Sequence, residues 1–218
     1  MKKSILAAAI LAAISAPAFA NDSNWIFRGT VAHISPNDDS GTVLAPGDGV
    51  SVGSSTGIGL GFTYMMDKNW GVEVLLATPF THDIEGTGDL AGLSIGETKH
   101  LPPTVSLTYS WGDTTTFHVG AGLNYTKFFQ EDTSSALTSA LGASSTSMKL
   151  DASTGLSVQF GFDTPINDDW NFTGGIYYKK IDTTADVDVY VDGALAATAS
   201  VDVTIDPVVI TLGVSTKF

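Results

Sequence analysis

The final residues, Ile205-Asp-Pro-Val-Val-Ile-Thr-Leu-Gly-Val-Ser-Thr-Lys-Phe218, alternate in a way that few folds accept. One parity holds Val208, Ile210, Leu212, Val214, Thr216 and Phe218, and the other Pro207, Val209, Thr211, Gly213, Ser215 and Lys217. A period of two sends these sets to opposite faces of a strand. One face is apolar and aromatic, and the other is mostly small or polar. A strand of that kind has lipid on one side and a packed or wet lumen on the other. The chain closes on an aromatic, a common feature of proteins that the bacterial barrel-assembly machinery inserts. Phe218 is therefore expected to act as an assembly signal.

The N-terminus points to the same compartment. Lys2-Lys3 form a basic start, Ile5 to Ile14 an apolar run, and Ala18-Phe19-Ala20 a small-x-small cleavage site. The expectation is a cleaved signal peptide over residues 1–20 and a single domain over 21–218. The absence of cysteine excludes a disulfide framework and a lipoprotein anchor. No later segment offers the ~20 consecutive apolar residues of a transmembrane helix. Losing Lys2 and Lys3 leaves eight basic residues against 23 acidic, a formal charge of −15. Nucleic acid is excluded as a partner, because phosphate binding needs a basic footprint. The carboxylates gather outside the apolar strands, where they solvate loops. Contact with lipopolysaccharide through divalent cations is open, although no segment has calcium-loop spacing.

About eight alternating segments follow one another, each near the ~9–11 residues of a tilted membrane strand. Trp25 to Ile34 is the first. Gly57 to Met66 sets Ile58, Leu60, Phe62, Tyr64 and Met66 against glycines. Trp70 starts the third, Val105 to Trp111 and Phe117 to Thr126 give two more, Leu150 to Phe162 a sixth, and Trp170 opens the seventh. Connections alternate: Asp67-Lys68-Asn69, Gly112 to Thr116 and Asp163 to Asp169 are short, whereas 35–56, 80–99, 129–148 and 182–200 are long. Short periplasmic turns and long extracellular loops are the habit of outer-membrane barrels. Tyr64, Trp70, Tyr109, Trp111, Phe117, Phe162, Trp170 and Phe218 all fall at the short-turn end, as an interfacial aromatic girdle would. The predicted fold is all-β: an eight-stranded antiparallel transmembrane β-barrel in the bacterial outer membrane, with both termini periplasmic.

Two loops carry further pattern. Asp186 to Gly193 still alternates and turns at Asp192-Gly193, which predicts a hairpin prolonging strands seven and eight. A two-residue turn alone would pair inward with outward residues lower down. Either a three-residue loop or a bulge restores Tyr178 to the level of Val208. In the Ser- and Ala-rich stretch 133–147, Leu137 and Leu141 allow one or two helical turns.

Sites of chemistry are scarce. Gly57, Gly59 and Gly61 lack dinucleotide spacing and no helix follows. His33, His82, His100 and His118 are dispersed, so neither a metal site nor a catalytic triad is expected, and no cofactor; His100 and His118 share inward parity. Arg28, Glu73 and Lys217 have inward parity among few lumenal charges. Buried charges need partners, so these three are expected to pair and plug the periplasmic end. Ala32, Ile34, Leu75, Ala77, Pro79, Phe128 and Ile181 have lumenal parity toward the extracellular half. Two readings stand: a packed core, since such a barrel is only just wide enough for its side chains, or an apolar funnel for a ligand. Pro79 ends strand three while Pro102 and Pro103 open strand four. Proline donates nothing to a ladder, so these prolines predict a locally unpaired seam near the outer rim, read either as a lateral opening for an apolar molecule or as a plain strand-end marker above the hydrocarbon, where water satisfies the backbone.

Gly71-Val-Glu-Val-Leu-Leu-Ala-Thr-Pro-Phe80, His100-Leu-Pro-Pro-Thr104, Val119-Gly-Ala-Gly-Leu-Asn-Tyr-Thr-Lys-Phe-Phe129 and Ile205-Asp-Pro207 together resemble the OmpW (OmpW/AlkL-like) family of small outer-membrane proteins. The resemblance implies an eight-stranded barrel with a narrow, largely apolar lumen. It also implies movement of small hydrophobic molecules across the outer membrane. A membrane-embedded acyl-transfer enzyme would need a His–Ser or His–Asp–Ser set converging at one depth on lipid-accessible positions, and the sequence offers no convincing set, so no enzymatic activity is expected. The competing reading is a structural or adhesive barrel with acidic surface loops and no transport role. That alternative calls for a polar, charge-paired lumen throughout.

Overall fold

The computed structural model describes residues 24–37, 39–40 and 49–218; the expected signal peptide lies outside them. The strands are β1 (Trp25–Ser35), β2 (Asp39–Ser40), β3 (Gly49–Val52), β4 (Ser55–Met65), β5 (Trp70–Ala77), β6 (Phe80–Thr87), β7 (Ser94–Leu101) and β8 (Thr104–Trp111). They continue with β9 (Thr116–Thr133), β10 (Ser145–Leu150), β11 (Ser153–Pro165), β12 (Asn171–Lys179), β13 (Asp182–Val191), β14 (Ala194–Thr204) and β15 (Val208–Lys217). One short helix, α1 (Ser135–Ala140), interrupts them.

Eight strands close on themselves in the order β1-β4-β5-β8-β9-β11-β12-β15, every neighbour antiparallel, and β15 returns to β1. Their outward residues include Leu107, Leu123, Leu156, Ile176, Ile210 and Leu212, all exposed. Burying none of them in a core makes sense only where lipid is the solvent. Along one rim Trp25 packs on Tyr64 (5.1 Å between rings), Trp70 on Tyr109 (5.0 Å), and Tyr109 on Trp111 (6.2 Å). Three short turns share that rim, and the Phe218 amide donates to the Trp25 carbonyl (3.0 Å). Both ends of the described chain therefore meet at the girdle.

At the other rim the wall does not stop. The β1–β4–β5 arrangement runs upward through β3 and β6, and β9 rises past its barrel partners to pair with β7. These make a sheet in the order β3-β6-β7-β9, facing a second sheet of β10-β13-β14-β2. The stretch 80–99, expected as a long loop, thus holds the paired strands β6 and β7, while 182–200 forms the hairpin that its alternation predicts. Helix α1 bridges them: the Ser134 hydroxyl caps it by accepting from the Leu137 amide (3.0 Å), and Leu137 is buried.

The β13–β14 hairpin settles the register question. Val191 pairs with Ala194 across Asp192-Gly193, both with positive φ (51° and 81°), as a type I′ turn requires. The ladder then shifts between Val189 and Tyr190, and this bulge brings Tyr178 opposite Val208 in the barrel below. Below it, the Asp206 carboxylate accepts from the Ile181 amide (2.9 Å), Tyr178 hydroxyl (2.9 Å) and Lys180 ammonium (3.0 Å), tying hairpin to barrel.

The lipid face should tolerate no charge at mid-strand. Leu212→Arg is expected to cost about 2–4 kcal/mol near the midplane, and deleting Phe218 to slow insertion. Both should lower the heat-modifiable barrel in outer-membrane fractions; undiminished yields would contradict this topology.

Candidate functional site: an ionic layer, an apolar belt and a cavity

The interior is layered, and the lowest layer is ionic. Arg28 on β1 projects between β5 and β11. Its Nη2 lies 2.7 Å from Asp163 Oδ2, and its Nη1 3.1 Å from Glu73 Oε2 and 2.7 Å from Thr63 Oγ1. Ser215 donates to Asp163 (2.7 Å) and Gln159 to Glu73 (2.8 Å). Each charged group is thus met by its opposite, the carboxylates also by neutral donors and the guanidinium by the Thr63 oxygen, the condition for holding charge away from water. Gly161 leaves room beside this layer, since a Cβ there would come within 2.4 Å of the His118 ring.

Two of the three residues expected in this plug are in it. Lys217 is not: it shares the parity of Ser215 but stands exposed at the end of β15, beyond the closed part of the barrel. The missing member is Asp163. Its place at the start of a predicted turn hid it, because β11 runs on to Pro165 and carries the carboxylate inward.

Above the plug lies an apolar belt. Ala32, Ile34, Phe80, Tyr177 and Val209 are all buried and in mutual contact, with Leu75 and Ala77 packed against them. A small pocket of about 20 Å³ here is bordered by Leu75, Leu76, Ala77, Phe80, Pro102 and Lys179. Lys179 is fully buried, hydrogen-bonded to Thr104 and set over the Tyr177 ring at 5.8 Å. Its charge, with that of Arg28, offsets Glu73 and Asp163. The belt corrects one expectation. Pro79 is exposed, and Phe80 takes the interior place. The register slips by one residue between the pairs Leu75↔Thr104 and Phe80↔His100, and such a slip turns successive side chains to the other face.

The same slip opens the wall. The β5–β8 ladder ends at Leu75↔Thr104 and the β6–β7 ladder begins at Phe80↔His100. Between them, residues 76–79 and 101–103 make no pairing with each other. Each side is held from behind instead: the Thr78 amide donates to the Ile58 carbonyl (2.8 Å), and the Tyr125 amide to the Pro103 carbonyl (3.0 Å). Pro79, Pro102 and Pro103 all lie in this interval. Leu76 faces outward from it, and buried Pro102 faces in.

The topmost layer is a cavity of about 350 Å³ between the two extension sheets. Ile84, Ile95, Met148, Leu150, Val201 and Val203 line it, with Leu137 of α1 above. Phe128 also lines it, and Ile181, wholly buried, belongs to the surrounding cluster. The seven apolar residues read from the sequence as one funnel thus divide: Ala32, Ile34, Leu75 and Ala77 in the belt, Phe128 and Ile181 in the upper cluster, and Pro79 outside. Sequence parity missed most of the cavity because its walls are strands in segments that read as loops.

A closed eight-stranded sheet with an apolar outer band and an aromatic girdle defines an outer-membrane β-barrel. The chain belongs to the OmpW family, whose sequence model matches residues 21–218. It is 44% identical over 225 residues to Outer membrane protein W of Vibrio cholerae, covering all of both chains. Identity is 40% over 192 residues with Outer membrane protein W of Escherichia coli, covering 85% of this chain and 87% of that one. The crystal structure of the outer membrane protein OprG from Pseudomonas aeruginosa superposes with a TM-score of 0.81 at 36% identity, over 90% of this chain and 96% of OprG. The outer membrane is its location.

Removing one side of the ionic layer should be worse than removing all of it. Asp163→Leu strands the guanidinium and is expected to cost about 3–5 kcal/mol in urea unfolding from bilayers. The triple variant Arg28→Met, Glu73→Leu, Asp163→Leu should recover most of that loss. An unchanged midpoint for Asp163→Leu would mean that Glu73 and Thr63 alone satisfy Arg28.

Proposed function

We propose that this barrel takes small hydrophobic molecules from outside the cell into its extracellular cavity and releases them sideways into the outer membrane through the wall between β5 and β8. The observation that carries this reading is the stacking of an apolar cavity directly on a barrel with no continuous bore. At about 350 Å³ the cavity lies at the lower end of the ~300–1,000 Å³ typical of ligand sites. Below, Ile34, Phe80, Tyr177 and Val209 fill the lumen, and the Arg28–Asp163–Glu73 layer closes what remains. An apolar molecule gains nothing by crossing that layer. Beside the belt, however, the wall lacks ladder hydrogen bonds over residues 76–79 and 101–103. Hydrocarbon offers no replacement for them, so the interval has the fewest bonds to break if the wall is to part.

The adhesive alternative calls for an interior that is polar and charge-paired throughout, and the belt and cavity weigh against it. Both termini, on this reading, lie in the periplasm.

Two measurements test the proposal. Ala185→Phe with Ala199→Phe fills the cavity from small residues on β13 and β14. It should lower uptake of a labelled alkane several-fold in cells that depend on this protein, with the amount of folded barrel unchanged. Cysteines at Ala77 and Thr104 flank the seam in a cysteine-free chain. Joining them with a short bifunctional thiol reagent should stop uptake, whereas single labelling should not. Uptake at the unlinked rate by fully crosslinked protein would rule out the lateral route.

A further inference from the structure

One corner of the cavity is not apolar. His82 Nε2, Thr98 Oγ1 and His100 Nε2 are buried there without a hydrogen-bond partner among the described residues. The three residues are 1%, 3% and 1% exposed, and all line the cavity. Every other described lining residue is alanine, valine, leucine, isoleucine, methionine or phenylalanine. Buried polar atoms are normally paired, so three orphans at one corner call for an explanation.

Their positions are fixed by the surrounding fold. His82 on β6 and Thr98 on β7 are cross-strand partners, and His100 is the next inward residue along β7. His82 Nδ1 contacts the Gly53 carbonyl, which only a protonated Nδ1 can do. In the neutral ring Nε2 is then an acceptor. The His100 ring lies edge-on to Phe80 (5.9 Å) and Phe128 (5.6 Å) and 4.7 Å from His82. Opposite Thr98 the β7–β9 ladder bulges between Glu97 and Lys99, with Gln130 at φ 54°. Bulges recur beside binding sites because they re-aim side chains.

The corner is also neutral. Burial, then His82 and Lys179, pushes the His100 imidazolium down to about 3. Burial lowers His82 too, against the Gly53 contact and Asp83. At pH 7 the corner therefore offers an acceptor on His82, a hydroxyl on Thr98 that both donates and accepts, and an uncharged imidazole nitrogen on His100. A carboxylate would find no cation among these three, and an ammonium no anion. A hydroxyl matches the set, since it can donate to His82 while accepting from Thr98 or His100.

We propose that the cavity selects neutral amphiphiles, an apolar body bearing one hydroxyl head, with the head seated on His82, Thr98 and His100 and the body against Ile84, Ile95 and Met148. This rests on the reading that the cavity takes apolar solutes, and it narrows that class from hydrocarbons to alcohols and phenols.

The test compares 1-octanol with n-octane on the full-length mature protein in lipid nanodiscs, each referred to its partition into protein-free nanodiscs. Octanol should bind about tenfold or more tightly than octane by this measure. Thr98→Val, which keeps the side-chain shape, and His100→Leu should each bring the ratio toward one by weakening octanol binding. Thr98→Val carries the test alone if His100→Leu does not fold. Equal binding of the two probes by the unaltered protein, or a ratio that survives Thr98→Val and His100→Leu, overturns the head-group site and leaves the apolar cavity standing. Binding of neither probe overturns both.

Discussion

Lipid supplies no hydrogen bonds, and this one property dictates most of what the chain does. A strand in hydrocarbon must pair on both edges, so the sheet has to close. With eight strands the interior is only wide enough for side chains, so closure turns the lumen into a packed core. The small residues Gly59, Gly61, Gly120, Gly122 and Gly161 all have inward parity in that narrow tube, and the large ones face lipid. The polarity of an ordinary globular protein is thereby reversed: leucines such as Leu123 and Leu156 are exposed, while Arg28, Glu73 and Lys179 are buried.

The interior charges follow from the same constraint. Strands apolar on both faces throughout would leave their register weakly specified, since a one-residue slip would exchange two like faces. A polar lower lumen, by contrast, marks inside from outside. Its cost is that every charge must find its opposite. Arg28 meets Asp163 and Glu73, Ser215 and Gln159 complete the carboxylates, and Lys179 balances the count from higher up. Only toward the rim opposite the girdle does the interior become apolar.

What the sequence made legible is what periodicity encodes. Strands of period two, the girdle aromatics and the alternation of short and long connections were enough to place β1, β4, β5, β8, β9, β11, β12 and β15, and to pair Arg28 with Glu73 by parity. Parity fails wherever the register slips. One slipped residue at Thr78-Pro79 exchanges the expected faces of Pro79 and Phe80, and no local pattern announces it, because the slip is a relation between β5–β6 and β7–β8. Asp163 looked like a turn residue because acidic residues usually mark turns, yet the Arg28 guanidinium is what makes an inward aspartate tolerable. The cavity was the least legible part. Its residues come from β3, β6, β7, β9, β10, β13 and β14, and beyond the barrel strands only the β13–β14 hairpin announced itself by alternation, the others being too rich in Thr, Ser, Asp and Gly. Only the pairing of distant strands brings Ile84, Met148 and Val203 together.

The seam joins these layers into one argument. A barrel gains by completing its ladder, so an interruption bordered by three prolines is a departure from what lipid rewards. Its position is not arbitrary. It falls between the last barrel pair, Leu75↔Thr104, and the first pair of the extension, Phe80↔His100. The belt residue Phe80 sits at its upper edge, and the orphaned ring of His100 sits across from Phe80. A solute resting in the cavity with its polar end at His82, Thr98 and His100 would therefore lie next to the weakest stretch of wall. To leave through that stretch it would have to give up its head-group hydrogen bonds, and the wall would have to give up no ladder bonds at all. The head-group corner would then set which solutes are held, and the unpaired wall would set how they depart. These are separable properties of neighbouring residues, and the register slip at Thr78-Pro79 creates the second without disturbing the first.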